Sequence, residues 1–391
     1  MTKSKRITMI VLVVVLIGIT VGGFALKLKA NAYSGEPSEA LDINAKAGLL
    51  MDYNTGTVVY QKNEKQHLPI ASMVKIMTLN LIYDEIKNGN LSYDTDIVVS
   101  QNAGSMGGSQ AFLDANAVYK AGDLIETIVV ASANDACVAM AEHISGSVEG
   151  FVVKMNEKAV GLGMQNTNFV NCTGLPAPNQ YSCAFDVGLM TRELIKHEGF
   201  FKYAANWFYD FKHPCGRITQ LSNTNKLLKA YEGCDGGKTG FTNEAAYCLS
   251  ATAKRGNTRL ISVVIGSETG KIRNAQNAKL FNYGFGNYET RQIVFKDQVI
   301  DQTVKVSKGK EDLVGVVPEG NLFHFSKKGK VDISQEVIIN PLTAPVTTGQ
   351  AVGEVIVKID SVEVGRVNLL SQQDILKKTY LDTLNEVVEK W

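Results

Sequence analysis

The sequence predicts an α+β fold: a mostly antiparallel sheet flanked by helices, followed by a small all-β domain and a C-terminal amphipathic helix. Three observations predict it. Strand-like runs open and close the stretch from about residue 47 to 267, and apolar helical stretches fill its middle. Beyond about Arg291, short Val/Ile alternations lie between Gly, Pro and Asn turns. Strands at both ends of a helical run can pair in one sheet whose faces the helices cover.

The elements follow in order. "MTKSKR" is basic, Ile7 to Leu26 is an uncharged apolar run, and Ala30-Asn31-Ala32 supplies the small residues of a signal-peptidase site. Residues 1–32 therefore read as a signal peptide. A retained anchor is the alternative, because the run approaches the ~20 residues of a membrane span and Lys27 and Lys29 interrupt the usual layout. Either way the remaining chain is exported and works at the outer face of the cytoplasmic membrane. "SGEPSEA" is a short linker.

Residues 40–288 form the first domain. "AGLLMDYNTGTVVYQKN" is a hairpin about Asn54-Thr55-Gly56. Helical stretches such as "LIETIVVASANDACVAMAEHI" follow, then the strand "GGKTGFT" and a second hairpin turned at Arg255-Gly256-Asn257. The helix "KIRNAQNAKLFNYGF" closes the domain near Gly286. Residues 291–372 form the all-β domain. Residues 374–391 place Leu376, Tyr380, Leu384, Val387, Val388 and Trp391 at helical spacing. This helix either lies in a membrane interface or docks on its own domain or a partner.

Composition excludes more than it selects. A formal net charge of +1, with no Lys/Arg block beyond the N-terminus, excludes a nucleic-acid footprint. The histidines His67, His143, His197, His213 and His324 form no H-E-x-x-H set, so neither a metal nor a cofactor is implied. Six cysteines show no C-x-x-C spacing. Buried free thiols are expected, with Cys215–Cys234 or Cys172–Cys183 as the alternative bridges.

The chemistry concentrates in "LPIASMVKIMT". Ser72 and Lys75 are one helical turn apart on one face, behind Pro69, which suits a helix start. Burial among apolar neighbours lowers the pKa of an amine, so Lys75 could take the serine proton. Ser-x-x-Lys alone is weak, since Ser307-Lys308-Gly309-Lys310 also matches it. "ASANDA" offers Ser132 and Asn134, although Ser132 could simply cap a helix and Ser100-Gln101-Asn102 matches the same pattern. "GGKTGFT" offers Lys238, Thr239 and Gly240, where a sheet-edge lysine is the plain alternative.

Together and in order, Ser-x-x-Lys, Ser-x-Asn and Lys-Thr-Gly are the motif set of penicillin-binding proteins and class A β-lactamases. From about residue 45 to the C-terminus the chain resembles serine-type D-alanyl-D-alanine carboxypeptidases, the low-molecular-mass penicillin-binding proteins. "GSMGGSQAFL", "MNEKAVGLGMQNTNFVNCTGL", "LSNTNKLL" and "RLISVVIG" carry the likeness, which is greatest to the forms of Gram-positive, spore-forming bacteria. "NQYSCAFD" departs from it, with Cys183 and Phe185 where a small hydroxyl residue and an arginine are expected.

The resemblance implies a β-lactamase/transpeptidase-like domain and removal of the terminal D-alanine from peptidoglycan stem peptides. In that scheme Ser72 attacks with Lys75 as base, the leaving D-alanine is protonated through Ser132, Lys238 or Lys75, and the N–H groups of Ser72 and Phe241 hold the oxyanion. Asn134, Gly240 and Phe241 grip the peptide, while Lys238 also depresses the Lys75 pKa. Thr239 and Arg259 take the terminal carboxylate, a sheet-face salt bridge being the alternative for Arg259. β-Lactams would be covalent inhibitors. Rival readings are a β-lactamase, a transpeptidase or an idle wall-peptide-binding module.

Overall fold

The structure, a computed structural model, describes residues 41–300 and 302–389. The N-terminal export segment and Trp391 lie outside the described residues.

β1 (Ala47–Asp52) turns onto β2 (Val58–Lys62) at the expected hairpin. The buried Asp52 carboxylate shapes that turn by accepting from the Thr55 N–H at 2.7 Å and its hydroxyl at 2.8 Å. A 3-10 turn, Ala71–Val74, runs into α1 (Lys75–Lys87). β3 (Asp96–Val98), α2 (Gln101–Gly104) and β4 (Val118–Lys120) precede the helical layer. That layer holds α3 (Ala121–Ala131), α4 (Asn134–Ser145), α5 (Val148–Gly161), α6 (Ala184–Leu194) and α7 (Glu198–Ala204). The hairpin β5 (Phe208–Lys212) and β6 (Ile218–Ser222) and the short α8 (Leu227–Ala230) lead back to the sheet. Its remaining strands are β7 (Cys234–Thr242), β8 (Ala246–Arg255) and β9 (Thr258–Ser267), followed by α9 (Gly270–Asn287).

The main sheet has the order β2-β1-β9-β8-β7, every pair antiparallel. Side-chain alternation sorts its residues between two cores. Leu49, Met51, Ile261, Val263 and Ile265 join the helical core of α1, α3, α4 and α6. Leu50, Leu260 and Val264 pack on the other face with Leu280, Phe281 and Phe285 of α9. With both faces covered, all six β1 residues are buried.

From Tyr288 the chain is all β. β10 (Tyr288–Val294), β11 (Thr303–Ser307), β12 (Leu313–Pro318), β13 (Leu322–Lys327), β14 (Ile333–Ile339), β15 (Leu342–Thr343), β16 (Ala351–Ile359) and β17 (Val362–Ser371) follow in turn. Six of them form one sheet, β14-β16-β17-β12-β11-β15, over a Val/Ile core of their own, while β10 and β13 pair separately.

The terminal helix is shorter than expected. Helix α10 is Tyr380–Glu389. Residues 374–379 instead continue the β unit, because Ile375 is buried in its core and bridges Val346, and Lys377 bridges Gly309. Leu381, Leu384, Val387 and Val388 remain exposed. No helix among the described residues is long and apolar enough to cross a membrane.

Candidate active site

Ser72 lies within the 3-10 turn, not in the first turn of an α-helix as the sequence suggested, and Lys75 is the first residue of α1. Side chains three apart eclipse in a 3-10 turn, which sets the amine over the hydroxyl. Lys75 Nζ donates to Ser72 Oγ at 2.9 Å and to the Thr173 carbonyl. Lys75 is 0% exposed. Burial pushes its pKa below the ordinary lysine value, against smaller upward pulls from Cys137, Cys172 and Asp135.

"LIETIVVASANDACVAMAEHI" is not one helix. It breaks between α3 and α4 at Ser132, which sits in the left-handed region at φ 64°. That conformation costs a non-glycine residue roughly 1–2 kcal/mol. Ser132 does cap α3, its backbone N–H donating to the Ile128 carbonyl at 3.1 Å, but capping leaves the side chain unexplained, because the Ser132 Oγ is buried without a hydrogen-bond partner among the described residues. Asn134 is similar. Its Nδ2 donates to the Gly107 carbonyl at 2.7 Å, while its Oδ1 is buried and unpartnered. Each such atom costs about 1–3 kcal/mol until a ligand completes it. The competing motif differs here, since Ser100 is an ordinary N-cap accepting from the Ala103 N–H at 2.9 Å.

Lys238, Thr239 and Gly240 lie on β7 at the sheet edge, against the 3-10 turn. A Cβ built on Gly240 would sit 2.6 Å from the Ile70 carbonyl oxygen and 3.1 Å from the Ser72 nitrogen. Glycine thus lets the β7 backbone run beside the nucleophile. Lys238 is buried, with the Thr239 carbonyl accepting from Nζ at 3.1 Å, so it is no solvated edge lysine. The Thr239 hydroxyl donates to Thr224 at 2.7 Å. Phe241 exposes its side chain, 52% accessible, leaving its backbone as the relevant part.

Gly174 presses on the same turn. Its φ is +83°, and a Cβ there would meet the Ala71 carbonyl oxygen at 2.1 Å and the Ser72 nitrogen at 2.9 Å. Gly174→Ala must therefore displace the turn that carries Ser72. We expect penicillin acylation of this variant to fall at least about 100-fold, with an unfolding loss of roughly 1–3 kcal/mol; stopped-flow acylation and urea melts measure the two.

The electrostatics refine one expectation and correct another. Burial is the main cause that lowers the Lys75 pKa, and burial pushes the Lys238 amine well down, with the Lys75 charge adding to it; the repulsion between the two amines is mutual. The two buried amines titrate as a pair. Arg259 is not at the site. Its guanidinium grips Asp235 at 2.9 and 2.7 Å, bonds Thr252 at 2.9 Å and stacks on Phe201. This is the sheet-face salt bridge, and it neutralises the guanidinium within the sheet.

Arg273, in the first turn of α9, is the cation that sequence reasoning missed. It is buried, donates to Asn274 Oδ1 at 3.0 Å from both Nε and Nη2, and has no carboxylate partner among the described residues. Its charge reaches Lys238. Its pattern position on a helix gave no signal, since the approach to Lys238 depends on how α9 crosses the sheet. Thr173 and Gly174 were likewise visible only as part of "NCTGL".

Other features have structural roles. Cys183 replaces the expected hydroxyl as the N-cap of α6, its Sγ accepting from the Asp186 N–H at 3.4 Å. All six cysteines are unpaired. Asp84, Glu193 and His197 lie within ligand distance of one another, but Lys158 already fills that group, 2.6 Å from Asp84. Ser307 and Lys308 sit exposed at the end of β11.

Comparison with known proteins agrees with this geometry. Residues 34–269 match the D-alanyl-D-alanine carboxypeptidase family and residues 288–377 the penicillin-binding protein 5 C-terminal domain. The chain is 38% identical to D-alanyl-D-alanine carboxypeptidase DacF of Bacillus subtilis, over 96% of this chain and 97% of that protein. It is 33% identical to DacA of Haemophilus influenzae, over 85% and 86% respectively. Among solved structures, penicillin binding protein 5 from Haemophilus influenzae superimposes with a TM-score of 0.70 at 33% identity, covering 86% of this chain and 99% of that one. A mutant of Streptomyces K15 DD-transpeptidase gives 0.59 at 30% identity, covering 63% of this chain and 99% of its own. With a half-buried serine paired to a fully buried lysine beside an edge strand, and relatives of this kind along nearly its whole length, the chain belongs to the D-alanyl-D-alanine carboxypeptidase family of serine peptidases.

Proposed function

We propose that this chain removes the terminal D-alanine from peptidoglycan stem peptides through an acyl-enzyme on Ser72. The observation that carries the reading is the fully buried Lys75 amine 2.9 Å from the Ser72 hydroxyl. Lys75 takes the Ser72 proton as the oxygen attacks the penultimate D-Ala carbonyl. The N–H groups of Ser72 and Phe241 stabilise the oxyanion. The substrate backbone adds as a strand along Gly240-Phe241, and its amide groups complete Asn134. Ser132, whose buried hydroxyl has no partner of its own, relays a proton to the departing D-alanine. Lys238, Thr239 and Arg273 hold the terminal carboxylate, with Arg273 taking the part expected of Arg259. Water then cleaves the ester.

The first domain, residues 40–288, and the all-β unit, 291–372, are proposed as separate domains, a division supported by their distinct hydrophobic cores. We assign α10 to a membrane surface, supported by its exposed apolar residues. Export by the N-terminal segment would put the site on the outer side of that membrane.

No Glu-x-x-Leu-Asn-like segment lies between Ser132 and Lys238 to activate a deacylating water, as class A β-lactamases require. Penicillin is therefore expected to inhibit. The test uses labelled penicillin and a peptide ending in D-Ala-D-Ala: a label stable for many minutes together with D-alanine release supports the carboxypeptidase. Rapid loss of label would mean a lactamase, diversion of the acyl group to an added amine a transpeptidase, and no label an idle binding module.

A further inference from the structure

Asp135, next to Asn134 in the first turn of α4, is 1% exposed, and the proposed chemistry gives it no part. Among the described residues its carboxylate accepts from backbone N–H groups alone: Ala136 at 2.9 Å and Ala111 at 3.0 Å to Oδ1, and Leu113 at 3.0 Å to Oδ2. The helix dipole favours an acid in this turn, and the Ala136 bond serves that end. The other two bonds leave the helix for the segment 107–113. That segment meets the start of α4 at every second residue. The Gly107 carbonyl accepts from Asn134 Nδ2 at 2.7 Å, the Ser109 carbonyl accepts from the Asn134 N–H at 2.7 Å, and the N–H groups of Ala111 and Leu113 end on Asp135. Ala111 and Leu113 are buried, and Phe112 between them is held at φ 61°. A bulky residue at positive φ persists only where its surroundings over-determine it. Here they do, since the Phe112 carbonyl also accepts from Arg217 Nη2 at 2.6 Å.

We propose that Asp135 is a positioning residue for acylation: by anchoring residues 107–113 to α4 it keeps the Gly107 carbonyl on Asn134 Nδ2, which turns the Asn134 side chain toward the substrate's amide. The inference rests on the acyl-enzyme reading and on the part given there to Asn134. Asn134 Oδ1 has no partner among the described residues, so the Gly107 carbonyl is the contact that fixes how the amide is turned. Packing does not hold that carbonyl in place. Gly107 is exposed, and a Cβ built on it would meet no atom within 4 Å. The bonds to Asp135, further along the segment, hold it instead. The fit is close, because a Cβ on Gly108 would lie 2.8 Å from Asn134 Nδ2. A carboxylate accepts at both oxygens and an amide at one. Asp135→Asn therefore keeps the shape but sets a donor against a backbone N–H, which loosens the segment.

The test compares acylation by benzylpenicillin, whose acylamino group stands in for the substrate amide, with acylation by penicillanic acid sulfone, a β-lactam without that group. The second rate is followed by competition with labelled penicillin. Both are read on the high-pH plateau, because the Asp135 charge also raises the Lys75 pKa. We expect Asp135→Asn to slow benzylpenicillin roughly tenfold, the worth of one hydrogen bond, and the sulfone by less than about twofold. In an Asn134→Ala background the same substitution changes the benzylpenicillin rate by less than about twofold, since it acts through that side chain. Gly108→Ala crowds Asn134 Nδ2 from the segment's side and leaves Asp135 unaltered. It repeats the selective loss, and it decides the question should Asp135→Asn fail to fold. Equal slowing of the two β-lactams, a loss that persists undiminished without the Asn134 side chain, or unchanged benzylpenicillin acylation overturns the assignment. Absence of penicillin label from the unmodified protein overturns the acyl-enzyme reading, and this inference with it.

Discussion

Ser72→Ala gives a folded protein that takes no penicillin label and releases D-alanine on the order of 10⁶-fold more slowly, the size of loss seen when a serine peptidase loses its nucleophile. The substitution removes one oxygen from a half-buried position and adds nothing to a turn confined by Gly174 and Gly240. Lys75 keeps its bond to the Thr173 carbonyl, so the amine is not orphaned and stability changes by less than about 1 kcal/mol. The proposed carboxylate holders Lys238, Thr239 and Arg273 are untouched. Substrate peptide should therefore still bind Ser72→Ala without reacting, which equilibrium dialysis checks. A variant that still acquires label at the unmodified rate would place the nucleophile elsewhere.

Lys75→Met carries the second largest effect, a fall in acylation rate of roughly 10²–10⁴-fold, the range of general-base contributions. Its pH dependence identifies the cause. The lowered Lys75 pKa means that the free amine persists to lower pH than an ordinary lysine would allow. In the unmodified protein the acylation rate should climb with pH while the proton leaves the amine, then level off. Lys75→Met removes that acid limb, leaving a low rate that does not follow it. Stability has a matching sign. Between the lowered native value and the ordinary 10.5, the unfolded chain binds the proton more tightly than the folded one, so stability rises with pH across that interval. A thioether in place of the amine has no proton to lose, so the variant lacks this contribution, and thermal melts as a function of pH report it separately from the chemistry.

The elements legible in the sequence were those fixed by local rules. Asn54-Thr55-Gly56 and Arg255-Gly256-Asn257 mark turns that only a few residues suit, and the Val/Ile alternations after Arg291 have the period of strands. Ser72, Lys75, Ser132, Asn134, Lys238 and Thr239 were legible because their spacing repeats a known motif order. Where periodicity was read without long-range contacts, it failed. The run through Ser132 looks like one helix by pattern, but Ser132 adopts a left-handed conformation that ends α3 and starts α4. Residues 374–379 continue the apolar spacing of α10, yet Ile375 is drawn into the β core instead.

By itself the sequence determined the kind of chemistry, a serine with an amine one turn away, and the strands and helices that carry it. Tertiary structure decided which cations serve it. Arg259 and Arg273 are both arginines near the end of an element, and no local signal separates them. One lies across the sheet from Asp235 and is neutralised, while the other is buried near Lys238 with no acid to meet among the described residues. Charge partners are set by contacts between residues far apart in the chain, and so is the burial that lowers the Lys75 pKa. Neither exists until the sheet and helices have closed around the site.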